Sequence, residues 1–186
     1  MTDLSLFLNQ VASRPREVVA LAPSSRALAR RMAEAVPDGP GVVVELGAGT
    51  GKITAALLDA GVPVEAVHSF EINPAFCDHL ERAHPRLRVY RDRAENLGRH
   101  GIADVKAVVS GLPLLSMDRE IQRRIVGGAF ECLRPGGLFI QFTYGPVPPV
   151  RKAIRDELSL GWTRSETIWG NLPPATSYSF YRRRAA

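Results

Sequence analysis

Residues that mark several classes of protein are scarce in this 186-residue chain. Its two cysteines, Cys77 and Cys132, have neither metal-ligand spacing nor a paired histidine, so we expect core thiols rather than a disulfide or a zinc site. No stretch approaches the run of about 20 apolar residues that a membrane-spanning helix needs. The first residues carry an acid, Asp3, and no basic segment, so we expect no secretory signal and a cytoplasmic protein.

The chain carries an excess of positive charge. The formal net charge is +5, from 24 basic and 19 acidic residues. This excess predicts attraction to an anionic partner, either nucleic acid or an acidic membrane surface, and charge alone leaves both open. The arginines crowd the N-terminal segment, at Arg14, Arg16, Arg26, Arg30 and Arg31.

The whole chain, residues 1–186, is predicted to be one domain, with a helical arm over 1–36 and a core over 41–186. The apolar residues of a first short amphipathic helix are Leu4, Phe7, Leu8 and Val11. A second helix is expected after an N-cap at Ser24 or Ser25, ending before Pro37. Its inward side chains would be Leu28, Met32 and Val36.

From Val42 onward, short apolar runs alternate with helical segments, which is typical of a parallel sheet buried on both faces. The predicted strands are Val42–Leu46, Ala66–Glu71, Leu87–Arg91, Val105–Val109, Leu138–Tyr144, Trp162–Trp169 and Ser177–Arg183. The predicted helices are Lys52–Ala60, Pro74–His84, Arg93–Gly98 and Asp118–Leu133. The last two strands lack a crossover helix between them, so they should be antiparallel. The sequence therefore predicts a doubly wound α/β fold with a mostly parallel, seven-stranded sheet.

A glycine-rich loop follows the first strand, with Gly47, Gly49 and Gly51 before a helix. Such a loop presents backbone N–H groups at the carboxyl edge of the sheet, where ligands of this fold bind. Its spacing differs from the dinucleotide fingerprint, and the preceding Glu45 would repel a pyrophosphate. An acid suits the positively charged methionine end of S-adenosylmethionine, which we therefore predict as the cofactor.

Two further acids end the next strands. Glu71 lies about twenty residues beyond the glycines, where a carboxylate can accept hydrogen bonds from both hydroxyls of an unphosphorylated ribose. Asp92 is placed to accept the adenine amino group, with the Arg93 backbone N–H available to a ring nitrogen. Each feature has a structural alternative, namely a tight turn for the glycines, a helix-start carboxylate for Glu71 and a helix cap for Asp92.

Residues 44–51 resemble the first motif of the class I methyltransferases, reading Val44-Glu45-Leu46-Gly47-Ala48-Gly49-Thr50-Gly51. Three more segments are similar to the bacterial phospholipid N-methyltransferases: Ser110–Leu115, Gln141–Pro146 and Asn171–Ala175. This resemblance implies methylation of the amine of phosphatidylethanolamine towards phosphatidylcholine. Those enzymes are related to the rRNA adenine dimethyltransferases, so an RNA adenine N6-methyltransferase is the alternative.

The end of the fourth strand favours the lipid. Enzymes that methylate a base amine typically have Asn or Asp, Pro and an aromatic ring there, and the ring stacks on the flipped base. Here Ser110–Leu114 is apolar and lacks that ring, and no helical domain follows Trp162. A third alternative, a binding module with a vestigial site, is opposed by the intact glycines and by both Glu45 and Glu71.

The resemblance also implies residues for the substrate. Ser110, with the carbonyls around Gly111 and Leu112, would orient the amine. Tyr144 would hydrogen-bond the amine or the lipid phosphate, so Ser110 and Tyr144 are the predicted catalytic residues. Asn171 is either a substrate contact or a turn residue. No metal is predicted, because the histidines share no spacing and none is proposed as a base; they are His68, His79, His84 and His100.

The predicted partner is a phospholipid substrate, with no nucleic acid, and the protein is expected to be a monomer. The N-terminal arm could insert its apolar face at an anionic membrane surface while its arginines meet the head groups. The alternative is that the arm packs over the sheet as a lid. We therefore expect a cytoplasmic protein held peripherally at the inner face of the cytoplasmic membrane.

Overall fold

The computed structural model describes residues 25–145 and 147–183. The predicted first helix, Leu4–Val11, lies outside these residues. The α-helices are α1 (Arg26–Glu34), α2 (Lys52–Asp59), α3 (Pro74–Ala83), α4 (Arg119–Cys132) and α5 (Lys152–Glu157). The strands are β1 (Val42–Leu46), β2 (Val67–Phe70), β3 (Arg88–Tyr90), β4 (Val105–Ser110), β5 (Leu133–Thr143), β6 (Leu160–Arg164) and β7 (Thr176–Arg182). Three short 3-10 helices are Val64–Ala66, Ala94–His100 and Leu114–Ser116.

The seven strands form one sheet in the order β3-β2-β1-β4-β5-β7-β6. The ladders from β3 to β5 are parallel, and β7 is antiparallel to both of its neighbours. Leu46 of β1 pairs with Phe70 of β2 and with Ser110 of β4. The ends of these strands therefore lie side by side at one carboxyl edge. The predicted doubly wound fold with an antiparallel C-terminal pair is confirmed.

Apolar helix faces cover the sheet on both sides, which is why its central strands are mostly apolar and buried. On one side, α1, α2 and α3 contribute buried side chains such as Leu28, Leu57 and Leu80. On the other side, α4 and α5 contribute Ile125 and Ile154 among others. The two layers hold β1 and β4 fixed, and with them the loops that follow these strands.

Helix α1 begins as predicted at Ser25, whose hydroxyl oxygen accepts a hydrogen bond from the Leu28 N–H at 3.1 Å. Leu28 and Met32 are fully buried. Val36 is half-buried and lies beyond the end of the helix. The chain then enters β1 at the amino edge, so α1 runs from the carboxyl edge to the amino edge of the sheet.

Four element predictions were wrong in detail. Residues predicted as the helix Arg93–Gly98 form a 3-10 helix over Ala94–His100. Strand β5 starts at Leu133, five residues early, because its Pro-Gly-Gly segment is accommodated by a shift of register against β4. The predicted strand Trp162–Trp169 ends at Arg164, followed by one isolated bridge. Helix α5 was missed because six residues with one buried side chain give no periodic signal.

Among residues 25–145 and 147–183, no helix has the length and hydropathy required to cross a membrane.

Candidate active site

The three glycines after β1 serve different purposes. All have positive φ, at +74° for Gly47, +54° for Gly49 and +80° for Gly51, a region that glycine enters without steric cost. A Cβ at Gly47 would lie 2.6 Å from Leu112 Cδ2, and one at Gly51 would lie 2.9 Å from Leu80 Cδ2. A Cβ at Gly49 would meet no atom within 4 Å. Protein side chains therefore pack against the loop at Gly47 and Gly51, whereas Gly49 faces open space.

Glu45 lies on β1 just before this loop and is fully buried. One carboxylate oxygen, Oε2, accepts hydrogen bonds from Thr54 Oγ1 at 2.6 Å and Ser69 Oγ at 2.7 Å. The other oxygen, Oε1, has no hydrogen-bond partner among the described residues. Burial raises the pKa of Glu45, and the two hydroxyl groups only partly oppose this. A buried acceptor without a donor is costly, so the site is chemically suited to a cationic or N–H-bearing ligand.

Glu71 follows β2 and ties the glycine loop to the neighbouring strand end. Its Oε2 accepts from the Gly49 N–H at 2.8 Å. Its Oε1 accepts from the backbone N–H groups of Ile72 at 2.9 Å and Asn73 at 2.8 Å. A carboxylate oxygen can accept two hydrogen bonds, so Oε2 retains capacity for a hydroxyl donor. The predicted ribose acceptor therefore also shapes the loop that would hold the ligand.

Asp92 follows β3 and is held by three donors. Its Oδ1 accepts from the Arg93 N–H and from Asn96 Nδ2, both at 2.7 Å, and its Oδ2 lies 2.9 Å from His100 Nε2. These bonds lower the pKa of Asp92 to about 2, with Asn96 the largest cause. The Arg93 N–H that was predicted to meet a ring nitrogen is thus engaged by Asp92 in this structure. Asp92 and Arg93 as adenine contacts stay predictions.

The segment after β4 packs directly on the glycine loop. The Gly111 N–H donates to the Leu46 carbonyl at 2.8 Å, and a Cβ at Gly111 would lie 3.0 Å from the Gly47 carbonyl oxygen. Ser110 is fully buried, and its Oγ accepts from the Leu112 N–H at 3.3 Å. Ser110, Gly111 and Leu112 are therefore brought next to the predicted cofactor loop, as a methyl acceptor site requires.

Tyr144 and Asn171, predicted from separate motifs, lie together at this edge. Burial raises the pKa of Tyr144, and a hydrogen bond from the Asn171 side chain partly opposes the shift. Asn171 is itself buried, and its Oδ1 accepts from the Ser25 N–H at 2.9 Å while its Nδ2 donates to the Pro173 carbonyl at 2.7 Å. The amide thus joins the start of α1 to the β6–β7 connection, which supports the turn interpretation of Asn171 without testing a substrate contact.

A model of the methyltransferase domain family matches residues 43–137, about half of the chain. The sequence is also 35% identical to an ornithine lipid N-methyltransferase of Singulisphaera acidiphila, over 96% of this chain and 95% of that protein. The chain belongs to the class I S-adenosylmethionine-dependent methyltransferases.

Solved structures agree on the fold of this methyltransferase. A TehB-like S-adenosylmethionine-dependent methyltransferase from Corynebacterium glutamicum superposes with a TM-score of 0.65 at 14% identity, over 97% of this chain and all of that chain. A glycopeptide N-methyltransferase complexed with sinefungin has a TM-score of 0.64 at 15% identity, over 87% of this chain and 95% of that one. At these identities the likeness shows the fold alone.

The residues of the methyltransferase fit the cofactor that the family uses. The unpartnered Glu45 Oε1, the capacity left on Glu71 Oε2 and the open space at Gly49 all lie at one strand edge. They match the cationic methionine end, a ribose and a close approach of the backbone to the ligand. Among the described residues, no cluster of three or more His, Cys, Asp or Glu side chains could hold a metal ion.

Sequence reasoning missed three residues that build the site. Thr54 and Ser69 hold the Glu45 carboxylate, and Gln141 is buried beside Ser110 across the β4–β5 ladder. Gln141 Nε2 donates to the Leu112 carbonyl at 2.9 Å, which fixes the segment predicted to orient the amine. A signal existed for Gln141, because an amide within an apolar buried strand requires a partner. Thr54 and Ser69 offered none, since they lie on separate elements.

Replacing Glu71 by alanine is expected to weaken cofactor binding and to lower stability together. Three backbone N–H groups would lose their acceptor, and unmade hydrogen bonds of this kind cost about 1–3 kcal/mol each when buried. Isothermal titration with S-adenosylmethionine and thermal unfolding measure the two effects. The Glu71→Gln variant is the control, because it retains one acceptor oxygen and should lose less stability. Equal affinity in wild type and Glu71→Ala would remove Glu71 from the cofactor site.

Proposed function

We propose that this methyltransferase transfers methyl groups to the amine of a membrane lipid head group, with phosphatidylethanolamine, converted towards phosphatidylcholine, as the substrate. The main observation in favour of a lipid substrate is the 35% identity to an ornithine lipid N-methyltransferase over nearly the full length of both chains. The apolar segment after Ser110, which has no aromatic ring for a nucleobase, supports the same class of substrate. A phosphatidylethanolamine and an ornithine lipid share a reactive amine and differ in the rest of the head group.

When bound, S-adenosylmethionine supplies the methyl group at its sulfonium for in-line displacement by an amine. The residues that would hold it are the glycine loop, with Glu45 at the methionine end and Glu71 at the ribose. Packing of Leu112 on Gly47 closes the loop against the segment that would carry the acceptor, so the two ligands would meet at one strand edge. Holding two reactants in this way removes much of the entropic barrier to transfer.

The amine must be neutral to react, and a primary amine with a pKa near about 10 is mostly protonated at neutral pH. Tyr144 keeps its proton at neutral pH, because the ordinary tyrosine pKa is near about 10, and burial raises it further. It therefore serves as a hydrogen-bonding group that orients the amine or the phosphate, and not as a base. The ammonium form would release its proton to water before transfer, and Ser110 and the carbonyls around Gly111 would then accept hydrogen bonds from the N–H groups of the neutral amine and leave its lone pair free for the methyl group.

The Tyr144→Phe variant is expected to lower kcat at least about tenfold, near the loss of one hydrogen bond of about 1.4 kcal/mol, with cofactor affinity unchanged. The ring remains, so its edge-to-face contact with Phe142 is kept. Steady-state kinetics on lipid vesicles measure kcat, and calorimetry measures cofactor binding. Wild-type turnover in this variant would leave Tyr144 as a packing residue.

One assay compares the candidate substrates. The purified protein is incubated with labelled S-adenosylmethionine and, separately, with phosphatidylethanolamine, an ornithine lipid and rRNA. Label in a lipid amine supports the proposal, and the lipid that takes it identifies the head group. Label in rRNA alone would overturn it in favour of an adenine N6-methyltransferase. Monomeric state and peripheral attachment to the cytoplasmic membrane through the N-terminal arm belong to the same proposal.

A further inference from the structure

Two large apolar side chains stand out on the surface. Trp169 is 79% exposed and Leu172 is 88% exposed, the highest values among the large hydrophobic residues of the described chain. Both lie on the connection between β6 and β7, at its tip, residues 169–174. Grouped apolar exposure of this kind marks an interaction site, since it is unfavourable in water.

The hairpin tip is held in a defined conformation. The Ile168 N–H donates to the Ala175 carbonyl at 2.7 Å and closes the base of the tip. Asn171, between the two exposed residues, is buried and bonded to the Ser25 N–H and to the Pro173 carbonyl. These hydrogen bonds hold the tip in a conformation that leaves Trp169 and Leu172 exposed.

The position of the tip connects it to the candidate active site. Thr143, at the end of β5, pairs with Thr176, at the start of β7, so the tip extends beyond the carboxyl edge of the sheet. Tyr144, a predicted substrate residue, directly follows Thr143 at this edge. Val147, 59% exposed, follows Tyr144 at the same edge. A partner that covers the tip would therefore also face the entrance to the site.

The charges around the tip identify the chemistry of that partner. Arg26 follows Ser25 at the tip, and Arg164 ends β6 at its base; both are exposed, and neither forms an ion pair with another described residue. Glu166 is the one acid between β6 and β7. Tryptophan favours the interface between head groups and acyl chains, and arginine favours anionic head groups. Exposed apolar residues flanked by free cations match an anionic bilayer.

We propose that the hairpin tip is a membrane-docking element: Trp169 and Leu172 insert into an anionic lipid surface and hold the carboxyl edge of the sheet against it. This inference rests on the proposed function, because a lipid substrate would then enter the site from the bilayer beside Tyr144. Residues 1–24 of the predicted arm precede Ser25, which lies at the same edge, so the tip would add a second contact to the membrane contact predicted for the arm.

Tryptophan fluorescence tests insertion directly, since the chain has two tryptophans. In full-length Trp162→Phe, Trp169 is the single reporter. Its emission should shift to the blue on vesicles of phosphatidylethanolamine and phosphatidylglycerol, and brominated acyl chains should quench it. The matched control is Trp169→Phe, in which Trp162 should show neither effect. An unchanged Trp169 signal on vesicles that co-sediment the protein would overturn the proposal, as would blue emission before vesicles are added, which would mean that protein already covers the tip.

A second experiment separates docking from catalysis. The double variant Trp169→Ser/Leu172→Ser should bind these vesicles at least tenfold more weakly, with S-adenosylmethionine affinity unchanged as proof of folding. It should methylate vesicle lipid at least tenfold more slowly and a monomeric short-chain phosphatidylethanolamine at the wild-type rate. Equal vesicle binding by the double variant and wild type overturns the docking role. Insertion of Trp169 in a protein that methylates no lipid supports docking while the proposed function fails.

Discussion

Replacing Gly49 by valine is expected to abolish S-adenosylmethionine binding in a protein that still folds. Gly49 has φ +54°, so valine adds backbone strain of about 1–2 kcal/mol. Its Cβ meets no protein atom within 4 Å, so no clash adds to that cost. The side chain instead occupies open space at the strand edge where the cofactor is predicted to bind. We expect at least about a 100-fold loss of affinity, equivalent to roughly 2.8 kcal/mol.

The matched control is Gly61→Val. Gly61 also has positive φ, +86°, and also has no atom within 4 Å of an added Cβ. It follows α2 at the amino edge of the sheet, away from the glycine loop. Both variants should lose similar stability on thermal unfolding, whereas only Gly49→Val should lose cofactor binding by calorimetry. Unchanged affinity in folded Gly49→Val would place the cofactor elsewhere.

The Glu45→Gln variant is expected to be more stable than wild type without cofactor and to bind cofactor more weakly. Glutamine retains an acceptor for Thr54 and Ser69 and removes a buried charge whose second oxygen is unpartnered. A gain of about 1 kcal/mol would raise Tm by roughly 2–4 °C in a chain of this size. Loss of a charge-assisted hydrogen bond of about 1.5–3 kcal/mol would weaken binding roughly 10- to 100-fold.

The stability gain should depend on pH with a defined sign. Burial raises the folded pKa of Glu45 above its ordinary value of 4.5. The stability that protonated Glu45 contributes to the wild-type protein is therefore fully present below pH 4.5, and it is lost as the pH rises through the folded pKa. The difference in Tm between Glu45→Gln and wild type should grow over that interval and then level off. Thermal unfolding at a series of pH values measures it, and a difference that shrinks with rising pH would contradict the buried-charge explanation.

The cofactor loop was predictable because its signals are local. Four apolar residues of β1, the acid Glu45 and three glycines lie within ten positions, and each affects only its neighbours in the chain. The placement of Glu45, Glu71 and Asp92 at one carboxyl edge was also predictable, since neighbouring parallel strands end at the same edge. The antiparallel β6–β7 pair was predicted from the missing crossover helix, although its first strand is shorter than expected.

The alternatives at single residues needed contacts between distant segments. Asn171 is joined to Ser25 across 146 positions, and Gln141 to Leu112 across 29, and neither pairing leaves a periodic pattern. Asp92 holds one backbone N–H group and Glu71 holds three, whereas their roles as ligand contacts stay predictions. The structural interpretation of each acid therefore holds in the folded protein, and it leaves one acceptor site on Glu71 Oε2 for a ligand.

The sequence by itself determined the fold class, the position of the glycine loop and the family, because hydrophobic period and short motifs are local properties of the chain. Tertiary structure decided which acceptors remain without donors, as at Glu45 Oε1, and which apolar residues stay exposed, as at Trp169 and Leu172. Both depend on what the rest of the chain places around a residue. Burial and hydrogen-bond partners depend on the tertiary packing of all elements, so they can be determined only from the folded structure.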